Sequence, residues 1–127
     1  MEEKRLATLS IRVQGMRLAS AANAREHWRV KHSREKAQVR EIDLLHGASI
    51  RKCTVPCVVT LTRHGIKYLD DDNLSAAFKR IRDYIATQLL ESTQANQHGR
   101  RGDDSDCRIA WEYEQETGPY AVRITIQ

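Results

Sequence analysis

Aromatic residues, prolines and long hydrophobic runs are scarce in this sequence. Aromatic residues make up 6 % of the 127 residues, so we expect an aliphatic core of modest size. No run of about 18 apolar residues is present, which argues against a membrane-spanning helix. The segment MEEKRLATLS lacks the apolar centre of an export signal. We therefore expect a single cytoplasmic domain over residues 1–127.

Cysteine is also scarce, and its number is odd. Cys53, Cys57 and Cys107 argue against a disulfide framework and for reduced thiols. A zinc site that combines them with a histidine such as His64 is the alternative. The C-x3-C spacing around Pro56 matches the paired ligand spacings of zinc proteins poorly. We interpret the cysteines as small hydrophobic core residues.

Charge is abundant but unevenly distributed. Lys and Arg number 21 against 17 acidic residues, which gives a net charge of +4. Six of the acids lie in two short clusters, which contain Asp70, Asp71, Asp72, Asp103, Asp104 and Asp106. Without these six, 21 basic residues stand against 11 acidic ones, a surplus of ten. Such a basic body attracts polyanions, and a cation at the acidic clusters would remove the local repulsion.

The spacing of apolar residues predicts the element order β-α-β-α-β-β. The predicted elements are strands at 5–13, 53–64, 108–115 and 120–127 and helices at 21–46 and 73–90. Gly47 is expected to end the first helix, and Trp28 is expected to anchor it in the core. A mobile loop is predicted over 91–104, and the last two strands are predicted to form a closing β-hairpin. We expect an α+β domain with a mixed or antiparallel sheet and helices packed on one side of it.

Asp70, Asp71 and Asp72 precede the second predicted helix, and they exceed what a helix cap requires. One Asp or Asn before Leu74 would cap the helix, whereas three adjacent carboxylates repel one another. A solvated capping cluster is one interpretation. The other joins this cluster to GDDSD, some thirty residues on, as a divalent metal site, because Mg²⁺ prefers carboxylate, water and phosphate oxygens. A calcium-binding EF-hand is a poorer match, since DDDNLSAAFKRI lacks the mid-loop Gly and the terminal Glu.

The acidic clusters and the helix between them resemble the RusA family of Holliday-junction resolvases. The similarity consists of D-x-D-N opening an amphipathic helix, a basic residue followed four positions later by Asp (Lys79 and Asp83), and a loop into D-D before a predicted hairpin. NAREHWRVKHSREK is similar to the Asn- and Arg-bearing start of the first helix in phage-type members. The resemblance covers most of the chain.

What the resemblance implies is an endonuclease that resolves four-way DNA junctions in recombination and repair. Its cofactor would be Mg²⁺, with Mn²⁺ as a substitute. Two symmetric strands are nicked, so the resemblance also implies a homodimer on branched double-stranded DNA. By motif, the metal ligands would be Asp70, Asp72 and Asp104, and these residues would be catalytic.

The sequence departs from the family pattern at Ala76, where members typically have a lysine. The nearest lysine is Lys79, seven residues after Asp72 and on roughly the same helix face. Its four-residue spacing to Asp83 matches the family, as though about one turn had been inserted. Lys79 is therefore the candidate catalytic lysine. The alternative is an exposed lysine paired with Asp83.

The first predicted helix carries basic residues that we expect to contact DNA phosphates. They are Arg25, Arg29, Lys31, Arg34, Lys36 and Arg40. A solvated charged helix is the alternative. Two other functions stay open: a junction-binding module that cuts weakly or not at all, motivated by Ala76, and a metal-dependent phosphohydrolase acting on a small substrate.

Overall fold

The computed structural model describes residues 9–18, 28–90 and 104–127. These residues form β1 (Leu9–Gln14), α1 (Trp28–Arg51), β2 (Cys57–Gly65), α2 (Asp71–Ala77), α3 (Lys79–Leu90), β3 (Ile109–Thr117) and β4 (Ala121–Ile126). The predicted α+β class is confirmed. The predicted strand residues 5–8, helix residues 21–27 and loop residues 91–103 lie outside the described ranges.

The four described strands form one mixed sheet in the order β1-β4-β2-β3. β4 is antiparallel to both β1 and β2, whereas β3 runs parallel to β2. The predicted hairpin is therefore wrong, because β2 lies between β3 and β4. β2 is the most buried strand and takes a central position, while β3, with three exposed glutamates, takes an edge where charge discourages further pairing.

Helix α1 continues past Gly47 to Arg51, so the predicted helix end is wrong. Gly47 is buried inside the helix. A glycine is needed there because a side chain would lie too close to neighbouring atoms, and not because the backbone turns. A Cβ atom there would lie 2.5 Å from Asp43 Oδ1 and 3.0 Å from Tyr84 Oη. Trp28 is 66 % exposed, so its predicted place in the core is also wrong.

The predicted helix over 73–90 is two helices, α2 and α3, that meet at Phe78. The N–H of Phe78 is shared between the carbonyl groups of Leu74 (3.3 Å) and Ser75 (3.2 Å). Its side chain is fully buried. The division therefore lies at a core residue, and the apolar face of α3 continues from it through Ile81 and Ile85.

The core lies between the helices and one face of the sheet. In register, Val59 lies beside Ile126 and Leu61 beside Ile124, and these four side chains are buried with those of α1 and α3. Side chains alternate between the two faces of a strand. The alternate positions on the other face are polar: Arg12, Thr60, Thr62, Glu112, Glu114 and Arg123.

The three cysteines are free thiols, as predicted. Cys57 is a core residue and Cys53 packs against the core, whereas Cys107 is exposed, so its predicted burial is wrong. Within the described ranges, no three His, Cys, Asp or Glu side chains are grouped closely enough to hold a metal ion. None of the described helices combines the length and apolarity needed to cross a bilayer.

Candidate active site

Asp70 caps helix α2, which is the ordinary role of an aspartate at this position. Its backbone is extended, and its Oδ1 atom accepts a hydrogen bond from the backbone N–H of Asn73 at 3.0 Å. Asp71 and Asp72 occupy the first turn of the helix and are exposed, where the positive end of the helix dipole favours them. All three carboxylates of the first acidic cluster are therefore exposed, and one of them caps the helix.

The segment before this cluster is attached to the edge strand β3 through Gln115. The side-chain oxygen of Gln115 accepts from the N–H of Leu69, and its nitrogen donates to the carbonyl of Leu69, both at 2.8 Å. Arg63 donates to the carbonyl of Lys67 at 2.7 Å and so holds the same segment. These two residues position Asp70, although sequence patterns gave no signal for either.

Lys79 connects the second acidic cluster to helix α3. Its ammonium group lies 3.0 Å from Asp83 Oδ1 and 3.0 Å from Asp104 Oδ2. The hydrogen bonds to Asp83 and Asp104 raise the pKa of Lys79, so the ammonium remains charged at neutral pH. The Lys79 side chain is 62 % exposed, whereas that of Asp104 is only 18 % exposed. The pairing with Asp83 expected for an exposed lysine is present, and Asp104 is a second partner.

Arg82 supports the site through Asp104, a role that the sequence patterns did not reveal. It donates hydrogen bonds to Tyr113 Oη at 2.8 Å and to the backbone carbonyl of Asp104 at 3.2 Å. Its Nε lies 2.9 Å from Asp104 Oδ2, an ionic contact without hydrogen-bond geometry. The guanidinium also lies 4.7 Å from the centre of the Trp111 ring, whose Nε1 donates to the Asp104 carbonyl at 3.0 Å. The only signal in the sequence was the alternation that puts Trp111 and Tyr113 on one face of β3.

The site therefore brings together part of the predicted set. Asp104 and Lys79 are in contact, and Asp70 and Asp72 lie at the start of the adjoining helix α2. Asp103 is outside the described residues. The oxygen donors suit Mg²⁺, which takes one or two protein carboxylates together with waters and phosphate. Asp70 and Asp72 supply exposed carboxylates of this kind, whereas the carboxylate of Asp104 is paired with Lys79 and Arg82. Within the described residues the three aspartates are not grouped closely enough to form a metal site.

The predicted DNA-binding residues of α1 divide between two sides of the helix. At 3.6 residues per turn, Arg29, Lys36 and Arg40 share one side, and Lys31 and Arg34 lie opposite. The described residues of the first side are exposed, and the guanidinium of Arg29 lies 5.3 Å from the centre of the Trp28 ring. Arg25 lies outside the described residues.

The opposite side of α1 is partly occupied by ion pairs. Lys31 lies 3.9 Å from Glu35, and Arg80 of α3 lies at the same distance from another oxygen of Glu35. Arg80 also lies 2.6 Å from the Nδ1 atom of His32. This side therefore helps to hold α1 against α3, which makes Lys31 a weaker candidate for phosphate contact than Lys36 or Arg40.

No protein-family model and no curated protein matches this chain.

Proposed function

We propose that this chain is a Mg²⁺-dependent, structure-selective endonuclease that resolves four-way DNA junctions in recombination and repair. The observation that supports this most directly is the contact of Asp104 with Lys79, at 3.0 Å. Through it, the second acidic cluster touches the helical unit that begins at the first. As in the RusA family that the sequence resembles, the active form would be a cytoplasmic homodimer, because two strands must be cut symmetrically.

In this proposal Asp70, Asp72 and Asp104 hold the divalent cation, for which Mn²⁺ can substitute. When bound, the cation polarises the phosphoryl oxygen and lowers the pKa of a coordinated water. The described geometry supports the roles of Asp70 and Asp72, since neither forms an ion pair within the described residues. Asp104 would join after its Oδ2 atom is released from Lys79.

The chain's own residues would position the substrate and balance its charge. Lys79 is exposed and charged, so it can move from Asp104 to the scissile phosphate or the leaving oxygen. Arg82 would stay with Asp104 and fix the backbone at that residue through its carbonyl. The exposed side of α1 with Arg29, Lys36 and Arg40 would bind flanking phosphates, and Arg25 would extend that surface.

A junction-binding module without cleavage is the second candidate. Two observations favour it: Ala76 replaces the lysine of the family pattern, and Asp104 is already paired with Lys79 and Arg82. Such a protein would bind branched DNA with strong salt dependence and leave it uncut.

The test is Mg²⁺-dependent nicking of a synthetic four-way junction labelled in turn on each strand. Asp72→Asn and Asp104→Asn should each reduce the nicking rate by a large factor, on the order of a hundred or more, because each removes a charged ligand. Both variants should still bind the junction. Asp106→Asn is the matched control, since Asp106 belongs to the same cluster but is paired with Arg108 at 2.8 Å.

The outcomes separate the candidate functions. Nicking at the parental rate by a folded Asp72→Asn or Asp104→Asn protein contradicts the proposed metal site. Junction binding by the parent without nicking supports the binding module. Hydrolysis of a small phosphate ester that is insensitive to salt, with no junction binding, supports a phosphohydrolase, because phosphate contacts to DNA make activity salt-dependent.

A further inference from the structure

A cleft of about 780 Å³ lies between α1 and α3, apart from the acidic clusters. Its charged and polar lining residues include Lys36, Arg40, Asp43, Arg51, Tyr84 and Gln88. On α3, Tyr84 and Gln88 lie on a different side of the helix from Lys79 and Asp83, because 3.6 residues complete one turn. The cleft is therefore separate from the acidic clusters and Lys79, although Lys36 and Arg40 also belong to the exposed side of α1 described above.

One wall of the cleft is built by a hydrogen-bond network of Asp43, Arg51, Tyr84 and Gln88, called here the α1–α3 network. Tyr84 Oη donates to Asp43 Oδ1 at 2.6 Å. Arg51 Nη1 donates to the same oxygen at 3.2 Å and to Gln88 Oε1 at 2.8 Å. The buried Gly47 leaves room for three of these groups, since a Cβ atom there would contact Asp43, Tyr84 and Arg51.

The α1–α3 network has fixed charges at neutral pH. The hydrogen bond from Tyr84 lowers the pKa of Asp43, and burial together with that bond raises the pKa of Tyr84. Asp43 is therefore anionic, Tyr84 keeps its proton, and the charge of Arg51 balances that of Asp43. Both of these hydrogen bonds of Arg51 use Nη1, so three of the five guanidinium hydrogen atoms remain for another acceptor.

Two further cations line the cleft without an ion-pair partner among the described residues. Lys36 and Arg40 are exposed, and neither forms an ion pair with any of the described residues. Four residues of helix separate them, about 6 Å along the axis. The cleft thus has a net charge of +2, and its cations are distributed along α1 instead of converging on one point. That arrangement suits an extended polyanion better than a single small anion.

We infer that the cleft between α1 and α3 is a groove for a nucleic-acid backbone, with Lys36, Arg40 and Arg51 each contacting a phosphate. The inference rests on the proposed function only in taking DNA as the ligand, and it does not require that the chain cut DNA. The polar face of the sheet is a poorer surface for this purpose. There, Arg12 and Arg123 are outnumbered by the glutamates of β3.

The experiment measures binding of a fluorescent four-way junction at several salt concentrations without divalent metal. The double variant Lys36→Gln/Arg40→Gln should bind more weakly, and the magnitude of its slope of log K against log salt should fall by about 1.8, because each lost phosphate contact lowers that slope by about 0.9. The single variant Arg51→Gln should lower the slope by about 0.9. The charge-matched control, Arg12→Gln/Arg123→Gln, removes two positive charges from the opposite face of the sheet and should leave the slope unchanged.

The double variant should fold normally, because Lys36 and Arg40 are exposed and lie outside the α1–α3 network. A loss of binding in this variant therefore cannot be attributed to misfolding. If wild type binds DNA and the Lys36/Arg40 variant binds with the same affinity and slope, the groove is excluded and the phosphate contacts proposed for Lys36 and Arg40 are withdrawn, while the proposed metal site and cleavage still stand. If the variants behave as expected but no protein nicks DNA, the groove stands and the nuclease fails. If inorganic phosphate at millimolar concentration raises the Tm of the wild type while the wild type does not bind DNA, the cleft would be assigned to a small phosphate ligand, and the inference would be overturned.

Discussion

Replacing Arg82 with alanine tests how the protein holds Asp104 beside α3. The guanidinium contacts the Tyr113 hydroxyl, the Asp104 carbonyl and carboxylate, and the Trp111 ring. Its side chain is 24 % exposed, so these contacts are only partly screened by water. We expect the substitution to destabilise the fold and to loosen the segment that contains Asp104.

The magnitude follows from the individual contacts. Each of the two hydrogen bonds contributes about 1 to 1.5 kcal/mol net, within the range for ordinary hydrogen bonds, because the partly exposed guanidinium remains in contact with water. The cation–π contact contributes about 0.5 to 1 kcal/mol, and the partly exposed ion pair with Asp104 less than about 1 kcal/mol. The free energy of unfolding should therefore fall by about 3 kcal/mol, which corresponds to roughly 10 °C in Tm for a chain of this size.

The assay is equilibrium unfolding in urea followed by far-UV circular dichroism, because Arg82 lies against a tryptophan and would perturb fluorescence directly. The free energy of unfolding of Arg82→Lys should fall by roughly half as much, since an ammonium group cannot make the same set of planar contacts. Lys79→Ala is the control, and it should lose less than about 1 kcal/mol because its side chain is 62 % exposed. A loss below about 1 kcal/mol for Arg82→Ala, with an unchanged m-value, would refute this account of the site.

Three further predictions concern the rest of the molecule. Gly47→Ala should lower the free energy of unfolding by about 1 to 3 kcal/mol in thermal or urea unfolding, because its Cβ atom would enter the α1–α3 network in spite of the better helix propensity of alanine. The hydrogen bonds from Arg108 lower the pKa of Asp106 from 3.8 to about 2, so this group stabilises the fold above pH 4, and the contribution is lost as the pH falls towards 2. Asp106→Asn should accordingly flatten the acid unfolding curve in that range, and an unchanged curve would contradict the assignment. Burial, with a smaller effect of Cys53, raises the pKa of Cys57 to about 11, so a thiol reagent at pH 8 should modify the exposed Cys107 first and Cys57 only after unfolding, as peptide mapping would show.

The sequence was sufficient to predict most of the elements, but not the division between α2 and α3, the end of α1 or the arrangement of the strands. Alternation and helical spacing depend on local geometry, so β2, β3, β4 and the apolar face of α3 were recognisable. Strand pairing depends on which edges remain free, and no local pattern records that. Gly47 illustrates the same limit, because a glycine that ends a helix and a glycine that admits a neighbouring side chain look alike until the neighbour, Tyr84, is placed.

The acidic clusters could be recognised in the sequence, whereas the residues that support them could not. Asp70, Asp72 and Asp104 stand out because like charges are concentrated there. Gln115 and Arg82 act through contacts with backbone atoms of Leu69 and Asp104. Because every residue has a backbone carbonyl, such contacts cannot be recognised from the types of residue in the sequence. Their roles therefore required the structure.

The division between α2 and α3 determines where Lys79 lies. The sequence predicts one helix over 73–90, but the helix is divided at Phe78, and Lys79 is the first residue of α3. Its position is then set by the packing of α3 against the core, and that same packing holds Arg82 against Asp104. Lys79 is thereby kept within 3.0 Å of the second acidic cluster, a placement that the spacing of charges along the sequence does not predict.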